Sequence, residues 1–420
     1  MKVLIVNTSE TRGGAAVAAR RLMHALKLSG IGVKMLVRDK QTRSASVVAV
    51  RESVANIARF AWERLRIFIA NGLNRRDLFA VSVANTGVDI TQLPEFKEAD
   101  IIHLHWVNQG FLSLGGIGKI LASGKPVVWT MHDMWPCTGI CHHARQCGNY
   151  AGGCGQCQFV MGGKRRRDLS RAVFRRKART YAKGGNLTFV TCSEWLRGRA
   201  SISPLLAGRR LVAIPNPIDT DVFRPADKAG ARRRLGLPED KKLVLFGAVK
   251  PTDKRKGIDY LVEACGIFVR KYPEKAGSVA VVAIGTHSDA LRGMLPFDLY
   301  TLPFTGDERK MAEIYNAVDT FVTPSLEENL PNMVMEAMAC GTPCIGFDVG
   351  GIPEMIDHLH NGYVAGYKSA SDIAKGIKWM LFQEPYEGLS QAAVRKVREC
   401  YGERAVARRY IEVYNKSLST

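Results

Sequence analysis

Long hydrophobic runs are missing from this chain. The longest uncharged stretch, Ile101 to Gly118, contains histidines, an asparagine, a glutamine and several glycines, so it does not read as a membrane span of about 20 apolar residues. The opening MKVLIVNTSE enters a strand pattern directly. It lacks the basic segment, apolar core and small-residue cleavage site of a secretory signal, so a cytoplasmic location is expected. Acidic residues are also scarce, at 39 Asp plus Glu against 60 Lys plus Arg, a net charge of +21. That balance favours anionic partners: nucleic acid, anionic lipid or phosphorylated substrates. No RNP, helix-turn-helix or zinc-finger pattern is present to read nucleic acid, so none is expected as a partner. Internal repeats and low-complexity tracts are absent as well.

What remains is a folded chain of 420 residues, 46% hydrophobic and 24% charged. It is too long for one core of about 250 to 300 residues, so two domains are expected. Short β-branched runs alternate with helical patterns at Val3–Val6, Val33–Val37, Ile101–Leu104, Val127–Thr130 and Leu187–Thr191. A second series follows at Leu243–Phe246, Val279–Ile284, Thr320–Thr323 and Cys344–Phe347. Each series predicts a parallel sheet of Rossmann type. The proline-rich Ile214-Pro215-Asn216-Pro217-Ile218-Asp219 marks the boundary. The expected organisation is an N-terminal domain over 1–215 with a Cys-rich insertion at 134–160, a linker at 216–241, a C-terminal domain over 242–394, and a terminal helix over 395–420 packing on the domains.

Ser325 to Pro343 is the most informative stretch. Pro331 suits the first turn of a helix and Gly341 its C-terminal cap, which aims unpaired amides of the helix N-terminus at the sheet edge, a ready phosphate site. Glu328 and Glu336 flank that end. Carboxylates accept paired hydrogen bonds from sugar or ribose diols, although both acids also suit the dipole of an ordinary helix.

Glu328 and Glu336 have the Glu-x7-Glu spacing of family 4 retaining glycosyltransferases, and EAMACGTPCIGFDVGGIPEMI resembles that family's donor region. Gly13-Gly14, the IPNPID linker, Lys256-Gly257, and Gly350-Gly351 with Glu354 follow in the family's order. The stretch HDMWPCTGICHH further resembles a colanic-acid-type subgroup that builds bacterial surface polysaccharides. The resemblance implies a GT-B fold, two Rossmann-like α/β domains facing across a cleft. It also implies transfer of a sugar, with retention, from a nucleotide diphosphate sugar to a growing, lipid-linked glycan, without a catalytic metal. Glu336 is then expected on the ribose, Glu328 on the transferred sugar, and Lys256 with the helix start at Leu330, Asn332 and Met333 on the donor and its departing diphosphate. Where the family carries an arginine after the glycine ending its first C-domain strand, Gly247 is followed by Ala248. Lys250 is taken as the substitute cation, with Lys254 and Arg255 nearby. A nucleotide-sugar epimerase on the same fold is the other enzyme reading.

Gly13 and Gly14 follow the first strand, where missing side chains let a donor phosphate or an acceptor approach the backbone; a plain tight turn uses the same residues. His132, past the end of a strand, is expected in the active site, the other reading being a histidine satisfied by backbone carbonyls. His103 and His105 are assigned no role.

Five of the ten cysteines fall between Cys137 and Cys157. A cytosolic chain keeps them reduced, and Cys141, Cys147, Cys154 and Cys157 supply the four ligands of a structural zinc site. Disulfides and an iron–sulfur cluster remain open. The basic stretch Gly163 to Arg179 and a second at Ile57 to Leu73 read as amphipathic helices for an anionic membrane surface, or as solvated basic faces.

Overall fold

A computed structural model describes residues 1–50, 54–160, 168–383 and 385–419. The chain forms two compact units, Met1–Pro217 with Val406–Thr420, and Ile218–Ala405. The first holds β1 (Lys2–Ser9), β2 (Gly32–Asp39), β3 (Val47–Ala49), β4 (Ile101–Leu104), β5 (Val127–Met131), β6 (Leu187–Thr191) and β7 (Arg210–Ala213). They make one parallel sheet in the order β3-β2-β1-β4-β5-β6-β7. The second holds β8 (Lys242–Gly247), β9 (Val279–Ile284), β10 (Asp298–Leu302), β11 (Thr320–Thr323), β12 (Cys344–Phe347) and β13 (Gly362–Ala365), in the order β10-β9-β8-β11-β12-β13.

In both sheets the order reverses beside the unit's first strand, which is where open α/β sheets place ligands, outside the strands' carboxyl ends. β4, β5 and β9 are buried along their whole length, as expected of strands covered by helices on both faces. In place of one terminal helix over 395–420 there are two, Tyr386–Cys400 and Glu403–Leu418. The chain breaks between them because Gly402 bridges to Ile218 and Tyr401 accepts the Ile218 amide. The last helix packs on the first unit, where the Tyr414 hydroxyl meets His103 Nδ1 at 2.7 Å.

The basic stretch at 163–179 is described from residue 168 onward. Arg165, Arg166 and Arg167 lie outside the described residues. The helix that follows, Leu169–Tyr181, buries Val173, Phe174 and Lys177, and Lys177 donates to the Thr138 carbonyl at 3.0 Å and lies 3.5 Å from the centre of the Trp135 ring. Its apolar side belongs to the core, leaving only a solvated basic face outward. The helix Val54–Ala70 does the reverse. It buries Asn56, Glu63, Arg64 and Ile67 and exposes Val54, Ile57, Trp62, Leu65 and Ile69. Glu63 Oε1 accepts the Val83 and Ala84 amides at 2.9 Å each, and its Oε2 is ion-paired with Arg64 at 3.2 Å.

Candidate functional site

In the second unit, the loop after β8 runs beneath the loop that follows β11. Gly257 has φ +71°, and a side chain there would strike the Pro324 carbonyl, so only glycine lets the two segments touch. The contact places Lys256 Nζ in an ion pair with Glu328, whose carboxylate also accepts the Ser325 hydroxyl at 3.4 Å. Gly350, at φ +63°, approaches the Glu328 carbonyl in the same way, and the Gly351 amide donates to Asn329 at 2.7 Å. Three separate sequence motifs thus meet along the segment Pro324 to Asn329.

Helix Asn332–Ala339 begins there, with Pro331 at its N-cap and no side chain capping its first amides. Leu330 is buried just before it, and Asn332 and Met333 form its half-buried first turn. A side chain at Gly247 would collide with the end of Met333, so the helix N-terminus sits directly on the end of β8. Glu336 is buried on this helix, one oxygen held by the Tyr315 hydroxyl at 2.9 Å. No motif in the sequence singled out Tyr315. Lys250 is exposed on the loop after β8, Arg255 is paired with Asp253, and Lys254 is exposed.

In the first unit, Gly13, Gly14 and His132 line one cavity of about 990 Å³. Its polar wall includes Asn7, Arg12, Asp133 and His143, and its apolar wall is Val54, Ile57 and Phe60. His132 Nε2 lies 2.9 Å from His105 Nδ1, and His132 Nδ1 lies 3.4 Å from Cys192 Sγ. Both ring nitrogens are therefore engaged within the unit. Burial drives His132 down to about 4, against the opposing pull of Asp133. Burial, with the neighbouring His132, drives His103 to about 3. Both rings are neutral near pH 7. Burial alone would raise the Asp133 carboxyl, but His142, His143 and the Trp135 amide hold it at about 2.

The cysteine insertion packs against the first unit's core, with Cys137 and Cys141 buried. Cys154 Sγ accepts the Gly139 amide at 3.1 Å. Burial, with smaller contributions from the neighbouring sulfurs, raises Cys141 to about 12 and Cys157 to about 11. The four expected ligands do not form a closed shell, since among the described residues no three of these sulfurs lie within 4.8 Å of one another.

Two parallel sheets with switch points, a lysine–glutamate pair at a helix N-terminus and a glycine-lined cavity define a two-unit α/β protein of the GT-B class. The model of glycosyltransferase family 4 matches residues 12–222 and that of glycosyl transferases group 1 matches residues 240–383. The chain belongs to glycosyltransferase family 4. It is similar to the D-inositol 3-phosphate glycosyltransferase of Thermobispora bispora, 31% identical over 49% of this chain and 51% of that protein. The match spans about half the length of that curated relative. Among solved structures it resembles sucrose-phosphate synthase from Thermosynechococcus elongatus, with TM-score 0.69 and 18% identity over 100% of this chain and 99% of that one. It also resembles Anabaena HepE in complex with UDP-glucose, with TM-score 0.62 and 14% identity over 99% of this chain and 100% of that one. At those identities the two structures establish the fold.

Proposed function

We propose that this protein is a retaining glycosyltransferase that moves a sugar from a nucleotide diphosphate sugar to a lipid-linked acceptor of a growing surface glycan. The observation that carries the reading is the convergence of Lys256, Glu328 and the N-terminus of helix Asn332–Ala339. A cation and the amide end of a helix suit a diphosphate, and the carboxylates of Glu328 and Glu336 suit sugar and ribose hydroxyls. Lys250 and the backbone at Gly13 and Gly14 add donor contacts, and His132 lines the place where the transferred sugar lies. The bond from the anomeric carbon to the diphosphate breaks as the bond to the acceptor oxygen forms, and the departing phosphate oxygen takes the acceptor proton. Lys256 and the helix amides stabilise the charge that develops on that oxygen. HepE, solved with UDP-glucose, supports a nucleotide sugar as donor.

The exposed apolar stripe of helix Val54–Ala70 supports a lipid-linked acceptor and peripheral attachment to the cytoplasmic membrane face. A helix that buries its polar residues and exposes Trp62, Leu65 and Ile69 needs another apolar partner. Arg59 and Arg66 on the same helix suit an anionic bilayer. Among the described residues no helix is long and apolar enough to cross a membrane. Cys141, Cys147, Cys154 and Cys157 would be the ligands of a structural zinc that stiffens the insertion. The test of the transfer reading is product analysis after a binding screen of UDP-, GDP- and ADP-sugars: a glycosylated acceptor is expected. Donor converted to another nucleotide sugar without any acceptor would indicate an epimerase instead.

A further inference from the structure

Asp133 lies just past β5, in the polar wall of the first unit's cavity. Its carboxylate accepts the Trp106 indole N–H at 2.9 Å, the His142 Nδ1–H at 2.7 Å and the Trp135 amide at 2.8 Å. His142 Nε2 is in turn 3.0 Å from Ser82 Oγ. The order Ser–His–Asp is that of a hydrolase triad, but Ser82 is completely buried and no scissile carbonyl can reach it. The chain instead fixes a carboxylate. Ser82 orients His142, and His142 orients Asp133. A carboxylate offers about four lone-pair sites, and these three donors leave one on Oδ1. The side chain keeps 11% of its surface exposed, beside the Trp106 ring and within the same cavity as Val54, Ile57 and Phe60.

An anchored anion beside an aromatic ring and an apolar wall suits an amphiphilic glycoside, with hydroxyls at one end and a chain at the other. We propose that Asp133 binds a hydroxyl of the acceptor sugar and selects acceptors that present one there, with His142 and Ser82 as positioning residues. The proposal rests on the glycosyl-transfer reading. It adds an acceptor determinant in the first unit, distinct from Lys256, Glu328 and Glu336 of the second.

The test is calorimetric titration of the full chain with octyl β-glucoside, β-galactoside and β-mannoside, with and without nucleoside diphosphate. At least one glycoside is expected to bind, and D133N to bind it roughly ten- to hundredfold more weakly, as for a lost hydrogen bond to a charged group. The nucleoside diphosphate affinity of D133N should stay within about twofold of wild type. Equal glycoside affinity in D133N and wild type overturns the proposal, as does a wild type that binds none of the three. A wild type that binds glycosides through Asp133 but no nucleoside diphosphate contradicts the transfer reading while upholding the Asp133 assignment. Should D133N fail to fold, monodeoxy analogues of the bound glycoside on wild type decide: one should lose roughly tenfold in affinity, and uniform affinity across the series overturns the proposal.

Discussion

Lys256 and Glu328 form an ion pair that ties the loop after β8 to the segment leading into helix Asn332–Ala339. The two side chains are 35% and 17% exposed, so an incoming diphosphate can compete for the ammonium without unfolding anything. K256A is therefore expected to weaken nucleoside diphosphate as well as intact donor. E336A should cost donor affinity about 1.5 to 3 kcal/mol, the range for a charge-assisted hydrogen bond, and E328A should chiefly lower turnover. Steady-state kinetics with calorimetry separates these effects, and wild-type affinity and rate in both glutamate variants would remove the donor-site assignment.

Membrane attachment should depend on the exposed stripe of helix Val54–Ala70. Replacing Trp62, Leu65 and Ile69 with Ser is expected to reduce sedimentation with anionic liposomes, since burying each such side chain contributes about 1.5 to 3 kcal/mol. High salt should weaken binding further by screening the arginines over about 10 Å at 0.1 M. Equal sedimentation of variant and wild type would assign the stripe to another partner.

Reductively purified protein should carry about one zinc per chain, the stoichiometry of a single four-ligand site. Cys154→Ser or Cys157→Ser should lower stability before donor affinity, because the cysteines belong to the first unit and the donor groups to the second. Metal-free protein with intact disulfides by mass spectrometry would reverse this reading.

Stability should fall with acid. His103 and His132 have folded values near 3 and 4, below the ordinary value of 6.5, and His105 is also lowered, in each case chiefly by burial. The unfolded chain therefore binds more protons below about pH 6.5, and stability declines from there toward pH 4 for His132 and pH 3 for His103. Up to three protons are involved, so the slope approaches about 4 kcal/mol per pH unit at most. Thermal melts at pH 7 and pH 5 should show a lower Tm at pH 5, and an unchanged Tm would mean the rings are not buried neutral.

Nine strands were legible in the sequence, and the four others among the described residues, β3, β7, β10 and β13, are the edges of the two sheets. Edge strands are covered on fewer sides. β7 is only half-buried throughout and β10 begins exposed, so neither shows the continuous β-branched run of a central strand. Around the donor site, Glu328, Glu336 and Lys256 were legible because the chemistry requires those residue types at fixed spacing. Tyr315 was not, since a buried hydroxyl bonding Glu336 from another helix leaves no local pattern. The anchoring of Asp133 by Ser82 and His142 is likewise a product of tertiary pairing, in which Ser82 and Ile140 share a backbone bond of 2.8 Å. Helical periodicity located the apolar residues of Val54–Ala70 but not which side faces water, because Glu63 and Arg64 find their partners inside.

The most direct test of the central claim is calorimetric titration of UDP, GDP and ADP into wild type and K256A. At least one nucleoside diphosphate should bind wild type at a single site, and K256A should bind it at least about tenfold more weakly, as for loss of a charged hydrogen bond. Absence of binding by all three, or equal binding by K256A, would contradict the account.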